Sequence, residues 1–138
     1  MSIVVETGSF AVPAAKLWAM VSDFGGVAKY MDGLEGCIVE GEGVGAIRKI
    51  PVGDDHVVES LDVLDHETRT LTYSIISGPM PFKAYSATMV VTEEGDEVCL
   101  LTWTGTFEPN GIPSEKADRI AGGIYRGGIK GYGKALGL

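Results

Sequence analysis

The stretch that decides the fold is the last one, SEKADRIAGGIYRGGIKGYGKALGL, residues 114–138. Ala117, Ile120, Ala121, Ile124, Gly128, Tyr132 and Ala135 return to one side of a 3.6-residue period, with Lys116, Arg119, Arg126, Lys130 and Lys134 opposite. A long amphipathic helix is expected from Ser114 onward. It contains Gly122, Gly123, Gly127, Gly128, Gly131 and Gly133, and each glycine inside a helix costs about 1 kcal/mol relative to alanine. Two explanations compete. Missing side chains let the helix sit close on its support, or Gly128 and Gly131 leave room between helix and sheet for a ligand. The GxxxG spacing of Gly123, Gly127 and Gly131 could suggest a membrane dimer, but Arg126 and Lys130 in the same turns exclude lipid.

Such a helix needs a surface to cover, and the rest of the chain supplies strands. Residues 3–11 have β composition, and alternating segments follow at about 36–41, 45–52, 56–65, 69–77, 83–93 and 97–108, each bounded by Gly, Asp or Pro. Between the first strand and the others, VPAAKLWAMVSDF (12–24) changes to helical spacing, with Leu17, Met20, Val21 and Phe24 on one face behind Pro13. A short apolar turn at 27–31 follows. The expected fold is α+β: a seven-stranded curved antiparallel sheet, two short helices after strand 1, and the terminal helix crossing the apolar face as the only element long enough to do so.

Along 56–65 the inward set is Val57, Glu59, Leu61 and Val63, so one carboxylate points into an apolar interior. A turn at Gly53-Asp54 pairs residues whose numbers sum to 107 and sets Arg48 opposite Glu59. The couple is either a buried salt bridge that fixes pairing or the polar anchor of a cavity, which is otherwise apolar as small-molecule sites are. Tyr73 and Tyr85 join it from neighbouring strands, with Leu61 and Ala87 on the same inner face. The loop GPMPF (78–82) carries Met80 and Phe82 beside Tyr85, stiffened by Pro79 and Pro81. It reads as a lid, or as a packing contact with the helix or another subunit.

With 138 residues, 45% hydrophobic and 22% charged, the chain reads as one globular domain, 1–138. A net charge of −8 argues against nucleic acid and anionic membrane as partners. No apolar run approaches a membrane span and the N-terminus lacks a signal pattern, so a cytoplasmic location is expected. Cys37 and Cys99 read as buried thiols. His56 and His66 flank one strand at opposite ends, cannot share a metal and are expected in solvent; no metal or cofactor is expected. GEGVG (41–45) precedes a strand rather than a helix and is a tight turn, not a phosphate loop. With no GxSxG elbow and no Cys-His or Ser-His pairing, any chemistry would be acid–base.

The phrases VPAAKLWAMVSDFGG, GEGVGAIRKI, VESLDVLDHETRTLTYSI, GPMPFKAYSATMVV and WTGTFEP, in this order and spacing, resemble the helix-grip (SRPBCC, START-like) superfamily. That group includes polyketide cyclases/dehydratases, START lipid-transfer domains and Bet v 1 allergens, and the resemblance spans essentially the whole chain. It is also similar to the plant abscisic acid receptors, whose pocket glutamate, tyrosine and strand arginine match Glu59, Tyr85 and Arg48. Their inward positions match Ile75, Phe82, Ile120, Ile124 and Gly128. The receptors' longer SGLPA gate is here IPVGDD and their HRL latch is MPF, which argues against abscisic acid sensing. The resemblance would turn Thr102 inward, whereas alternation turns in Cys99, Leu101, Trp103 and Phe107. Outward Trp103 and Phe107 would make an aromatic patch, for which a homodimer is the expectation.

Together these readings imply binding, possibly transport, of a hydrophobic polyketide-like, aromatic or lipid compound between sheet and helix. The alternatives are a cyclase/dehydratase using Glu59 for acid–base work with Tyr85 or Arg48 stabilising an oxyanion, and an assembly subunit whose cavity is incidental.

Overall fold

A computed structural model of the chain describes every residue except Asp32 and Glu35. The strands are β1 (Ser2–Phe10), β2 (Ile38–Glu40), β3 (Ile47–Val52), β4 (Asp55–Asp65), β5 (Thr70–Ser77), β6 (Phe82–Gly95) and β7 (Val98–Pro109). Helix α1 is Ala14–Val21, a 3-10 turn follows at Phe24–Gly26, α2 is Val27–Tyr30 and α3 is Ser114–Ala135. All seven strands form one antiparallel sheet in the order β1-β7-β6-β5-β4-β3-β2. This is the α+β arrangement that the alternation and the terminal period predict, and the helix-grip order that the resemblance implies.

Both long-range helix starts use one device. Pro13 and Pro113 sit at the N-cap, and each carbonyl accepts the first amides, from Lys16 and Lys116 at 3.0 and 3.1 Å. The end of α3 is a Schellman turn. Gly137, at φ +78°, lets Leu138 N–H reach the Gly133 carbonyl at 2.8 Å and Gly137 N–H the Lys134 carbonyl at 3.1 Å.

Residues of alternating strands divide between the two faces. The inner face carries the core, including Leu61, Leu71, Ala87, Met89, Leu101, Trp103 and Phe107. The outer face carries hydroxyls, with Thr72 bonded to Thr88 at 2.9 Å and Ser60 to Ser74 at 3.0 Å across strands. Two expectations fail here, one through a shift in pairing and the other because alternation is regular. A register shift between Leu61 and Val63 turns Val63 outward, 42% exposed. In β7 alternation holds without interruption, so Trp103 faces in and Thr102 does not, and the outward aromatic patch behind the dimer expectation is absent.

Helix α3 lies mainly on β1 and β7, while α1 covers β6 and β7. A helix is about 10 Å wide with its side chains, and seven strands at about 4.8 Å spacing are three times as broad. One helix cannot cover such a sheet. The segment from Val21 to Met31, with Leu34, reaches over the remainder, and the volume left beneath it is where the site forms.

The helix glycines answer the question raised by their cost. A Cβ on Gly128 would stand 2.5 Å from the Trp103 ring, and one on Gly131 would stand 1.7 Å from the Tyr30 carbonyl oxygen. Both are close-packing positions, which decides between the two competing explanations in favour of close packing. Ala135, expected on the inner side, is exposed, while Tyr125 is fully buried. Its hydroxyl fills the space above Gly105, where a Cβ would lie 1.9 Å away.

Candidate functional site

Between β3–β7, the segment from Val21 to Met31 with Leu34, and one edge of α3 is a cavity of about 260 Å³. Its walls are largely apolar, with Ile50 and Val52 from β3, Val57 from β4, Ile75 from β5, Phe82 and Met89 from β6, and Asp23 lines it as well. Strand alternation points these side chains inward, and Ile124 and Tyr132 reach it from α3. Seven residues named from the sequence meet here, namely Arg48, Glu59, Tyr73, Ile75, Phe82, Tyr85 and Ile124. The other four stand elsewhere. Leu61 and Ala87 are sealed in the core, Gly128 packs on Trp103, and Ile120 lines an adjoining, open groove with Arg119, Lys130 and the exposed Gly123 and Gly127.

Inside this apolar space sits one ion pair. Arg48 pairs with Glu59 across β3 and β4, as the turn at Gly53-Asp54 requires, and its Nε donates to Glu59 Oε1 at 2.7 Å. Both residues are 7% exposed. A second guanidinium nitrogen donates to the Phe24 carbonyl at 2.9 Å, and the group lies 4.1 Å from the Phe24 ring centroid and 4.9 Å from that of Tyr73. Two ring faces and two acceptors hold the cation that water would otherwise solvate. Burial pushes the Glu59 carboxyl above its ordinary range, and Arg48 opposes that shift without cancelling it.

The second polar feature is a chain of phenols. Trp103 Nε1 donates to the Tyr73 hydroxyl at 3.3 Å, the Tyr73 and Tyr85 hydroxyls are 3.3 Å apart, and Tyr85 is hydrogen-bonded to Tyr125. Trp103 stacks on Tyr125 at 4.8 Å, and Phe82 packs on Phe107 at 4.6 Å and Tyr85 at 5.3 Å. Burial raises Tyr73 and Tyr85 far above the usual phenol range and Tyr125 to about 12, so all three stay protonated at neutral pH. Tyr132 is raised by burial as well.

Met80 and Phe82 both line the cavity, beside Tyr85 as their sequence proximity suggests. Trp103 and Tyr132 belong to the wall too, although neither was among the named site residues. The signals were present: alternation turned Trp103 inward, and helical period put Tyr132 on the inner side of α3. His66 is exposed as expected, yet its Nδ1 accepts from Trp18 Nε1 at 3.0 Å and ties α1 to the β4–β5 turn. Cys99 is buried as expected, while Cys37 is only partly so. Among the described residues no cluster of His, Cys, Asp or Glu could hold a metal, and no helix is long and apolar enough to cross a membrane.

Comparison with known proteins agrees with this fold. The protein XoxI from Bacillus cereus superposes with a TM-score of 0.90 at 26% identity, over 98% of this chain and 95% of that one. A putative uncharacterized protein from Bacillus thuringiensis gives 0.88 at 24% identity, over 97% and 98%. A START superfamily protein from Mycobacterium smegmatis gives 0.82 at 14% identity, over 96% and 95%, a likeness of fold alone. No curated protein matches the sequence. A family match runs through residues 1–136, nearly the full length. The chain therefore belongs to the family described as polyketide cyclase / dehydrase and lipid transport.

Proposed function

We propose that the protein binds a hydrophobic small molecule in the cavity between β3–β7 and α3, as a carrier or binding module. The observation that carries this reading is an apolar space of about 260 Å³ kept open around the internal Arg48–Glu59 pair. Ligand sites commonly occupy roughly 300–1,000 Å³, so the guest is small, on the scale of a two-ring aromatic or a short acyl chain. Met80 and Phe82 act as its cover on the β5–β6 side. Titration with naphthalene, followed by Trp103 fluorescence, tests this. Saturable one-to-one binding is expected, and Val57→Trp, which fills the wall, abolishes it while thermal unfolding stays cooperative. An intact protein that never saturates would refute the reading.

One observation favours a second reading, acid–base catalysis. Glu59 has its carboxyl raised by burial in a space it shares with the protonated Tyr73 and Tyr85. Glu59→Gln separates the two: a carrier keeps its guest, whereas an acid–base enzyme keeps the guest and loses turnover.

A further inference from the structure

The two edges of the sheet are built differently. The β2 edge is three residues long, whereas the β1 edge runs for nine, with no register shift against β7. β1 is bonded to β7 alone, and every second residue of an antiparallel edge strand turns its N–H and C=O away from its neighbour. Among the described residues no other backbone segment pairs with that edge. Exposed edges ordinarily carry lysine, proline or a bulge that keeps a second strand away. β1 has none of these, and its outer face presents Ile3 at 65% and Val5 at 51% exposure. Its one charge, Glu6, faces α3 and is taken up by Arg126 at 3.1 Å.

Helix α3 follows this edge. A Cβ on Gly8 would stand 2.4 Å from the Ile129 side chain, and one on Gly122 would stand 2.9 Å from Arg126 and 3.4 Å from Glu6. The helix therefore runs in the direction of β1, with its 122–126–129 face along the strand. Asp118 lies one turn before Gly122 on that face, and its Oδ1 has no hydrogen-bond partner among the described residues. An advance of about 3.4 Å per strand residue and 1.5 Å per helix residue sets Gly122 roughly level with Val5. Asp118 and Arg126 are then equally far to either side of that level.

We propose that the β1 edge binds a second copy of this chain, in a two-fold dimer whose sheets join antiparallel with Val5 on the axis. This axis sets Val5 opposite the partner's Val5, Ile3 opposite the partner's Thr7, and Val4 opposite the partner's Glu6. It also brings the two α3 helices alongside in opposite directions, so that Asp118 faces the partner's Arg126, a guanidinium with donors to spare beyond its bond to Glu6. An axis one residue on, through Glu6, would oppose two carboxylates and is disfavoured. A strand edge about 30 Å long buries less than the roughly 800 Å² per copy of a standard interface, so the dimer is a dissociable one.

The test is the mass of the full chain in solution, by sedimentation equilibrium from micromolar to about millimolar concentration, with a dissociation constant of about 10–100 μM expected. Val5→Lys, at an exposed position, places two like charges on the axis and is expected to weaken association by about 10-fold or more. Cysteine cross-linking in a Cys37→Ser background reads the register. Val5→Cys is expected to form a disulfide-linked dimer on mild oxidation, since directly opposite Cβ atoms stand about 4.5–5.5 Å apart. Ile3→Cys alone and Thr7→Cys alone, each about 14 Å from its own symmetry mate, should not cross-link, whereas an equimolar mixture of the two should. A wild type that stays monomeric throughout would overturn the proposal and leave this edge to a strand of some other protein. Association that survives Val5→Lys, or cross-linking of Ile3→Cys or Thr7→Cys alone, would also overturn it. Should Val5→Lys fail to fold, the cysteine series decides by itself.

Discussion

Over β1 and β7 helix α3 is packed to the limit of van der Waals approach, whereas over β3 to β5 the same sheet looks onto open volume. At the closed end glycines remove side chains so that Trp103, Tyr125 and the Tyr30 carbonyl can touch backbone. At the open end the sheet retains a charged pair, Tyr73 and large aliphatics, and α3 reaches this space from its edge, through Ile124 and Tyr132. The helix glycines thus do not make the cavity. They draw α3 toward one edge of the sheet, and the cavity is what a single helix leaves uncovered at the other.

The largest effect is expected at the open end. Arg48→Met leaves the Glu59 carboxylate buried without its partner, a loss of about 3–5 kcal/mol in urea unfolding at pH 7. Replacing both, as Arg48→Met with Glu59→Leu, is expected to restore most of it, because two apolar side chains carry no desolvation cost. A double variant as unstable as the single one would show that the guanidinium's contacts with Phe24 and Tyr73, not its charge balance, hold this end together.

The closed end is probed by neighbouring glycines of one helix. Gly131→Ala must displace backbone at Tyr30 and Gly128→Ala must displace the Trp103 ring, so each should cost roughly 1–3 kcal/mol, Gly131 the more. Nothing lies within 4 Å of a Cβ on Gly127. There alanine should stabilise by up to about 1 kcal/mol, the helix-propensity gain alone. Opposite signs at positions 127 and 128 in denaturant midpoints would establish that packing, not open space, selects these glycines. Destabilisation at both would point instead to a guest or partner seated in the groove beside Gly123 and Gly127.

Period and alternation made the closed end legible, since they report which face is buried and the facing residues are apolar. The pairing of Arg48 with Glu59 was legible because a two-residue turn sets the register arithmetically. What resisted were features created by a change in that arithmetic or by three-dimensional distance. The shift after Leu61 moved Val63 outward, and no pattern in the sequence announces it. The resemblance suggested Thr102 inside, and uninterrupted alternation in β7 prevailed. The glycines of α3 carry no mark of whether they admit a ring or leave a void; only the position of Trp103 against Gly128 decides that. The hydroxyl of Tyr125, far from Tyr85 in the chain, joins it solely through the curvature of the sheet.

The smallest effect is a pH dependence, and its sign discriminates between two views of the open end. Burial raises the Glu59 carboxyl above its ordinary 4.5, against the pull of Arg48. The folded protein then holds this proton more tightly than the unfolded chain does. Its contribution to stability is full below pH 4.5 and is lost as pH rises through the folded-state value. Exposed carboxylates run the other way: Asp65, lowered by the Thr68 and Glu67 amides, loses its contribution as pH falls. Comparison with Glu59→Gln, which stands for the protonated carboxyl, subtracts those shared slopes. The variant should therefore gain on the wild type as pH rises from 4.5 toward 7 in urea titrations. Parallel curves would mean that water or the guanidinium satisfies the carboxylate fully, and the interior around Arg48 would then be wetter than its apolar walls imply.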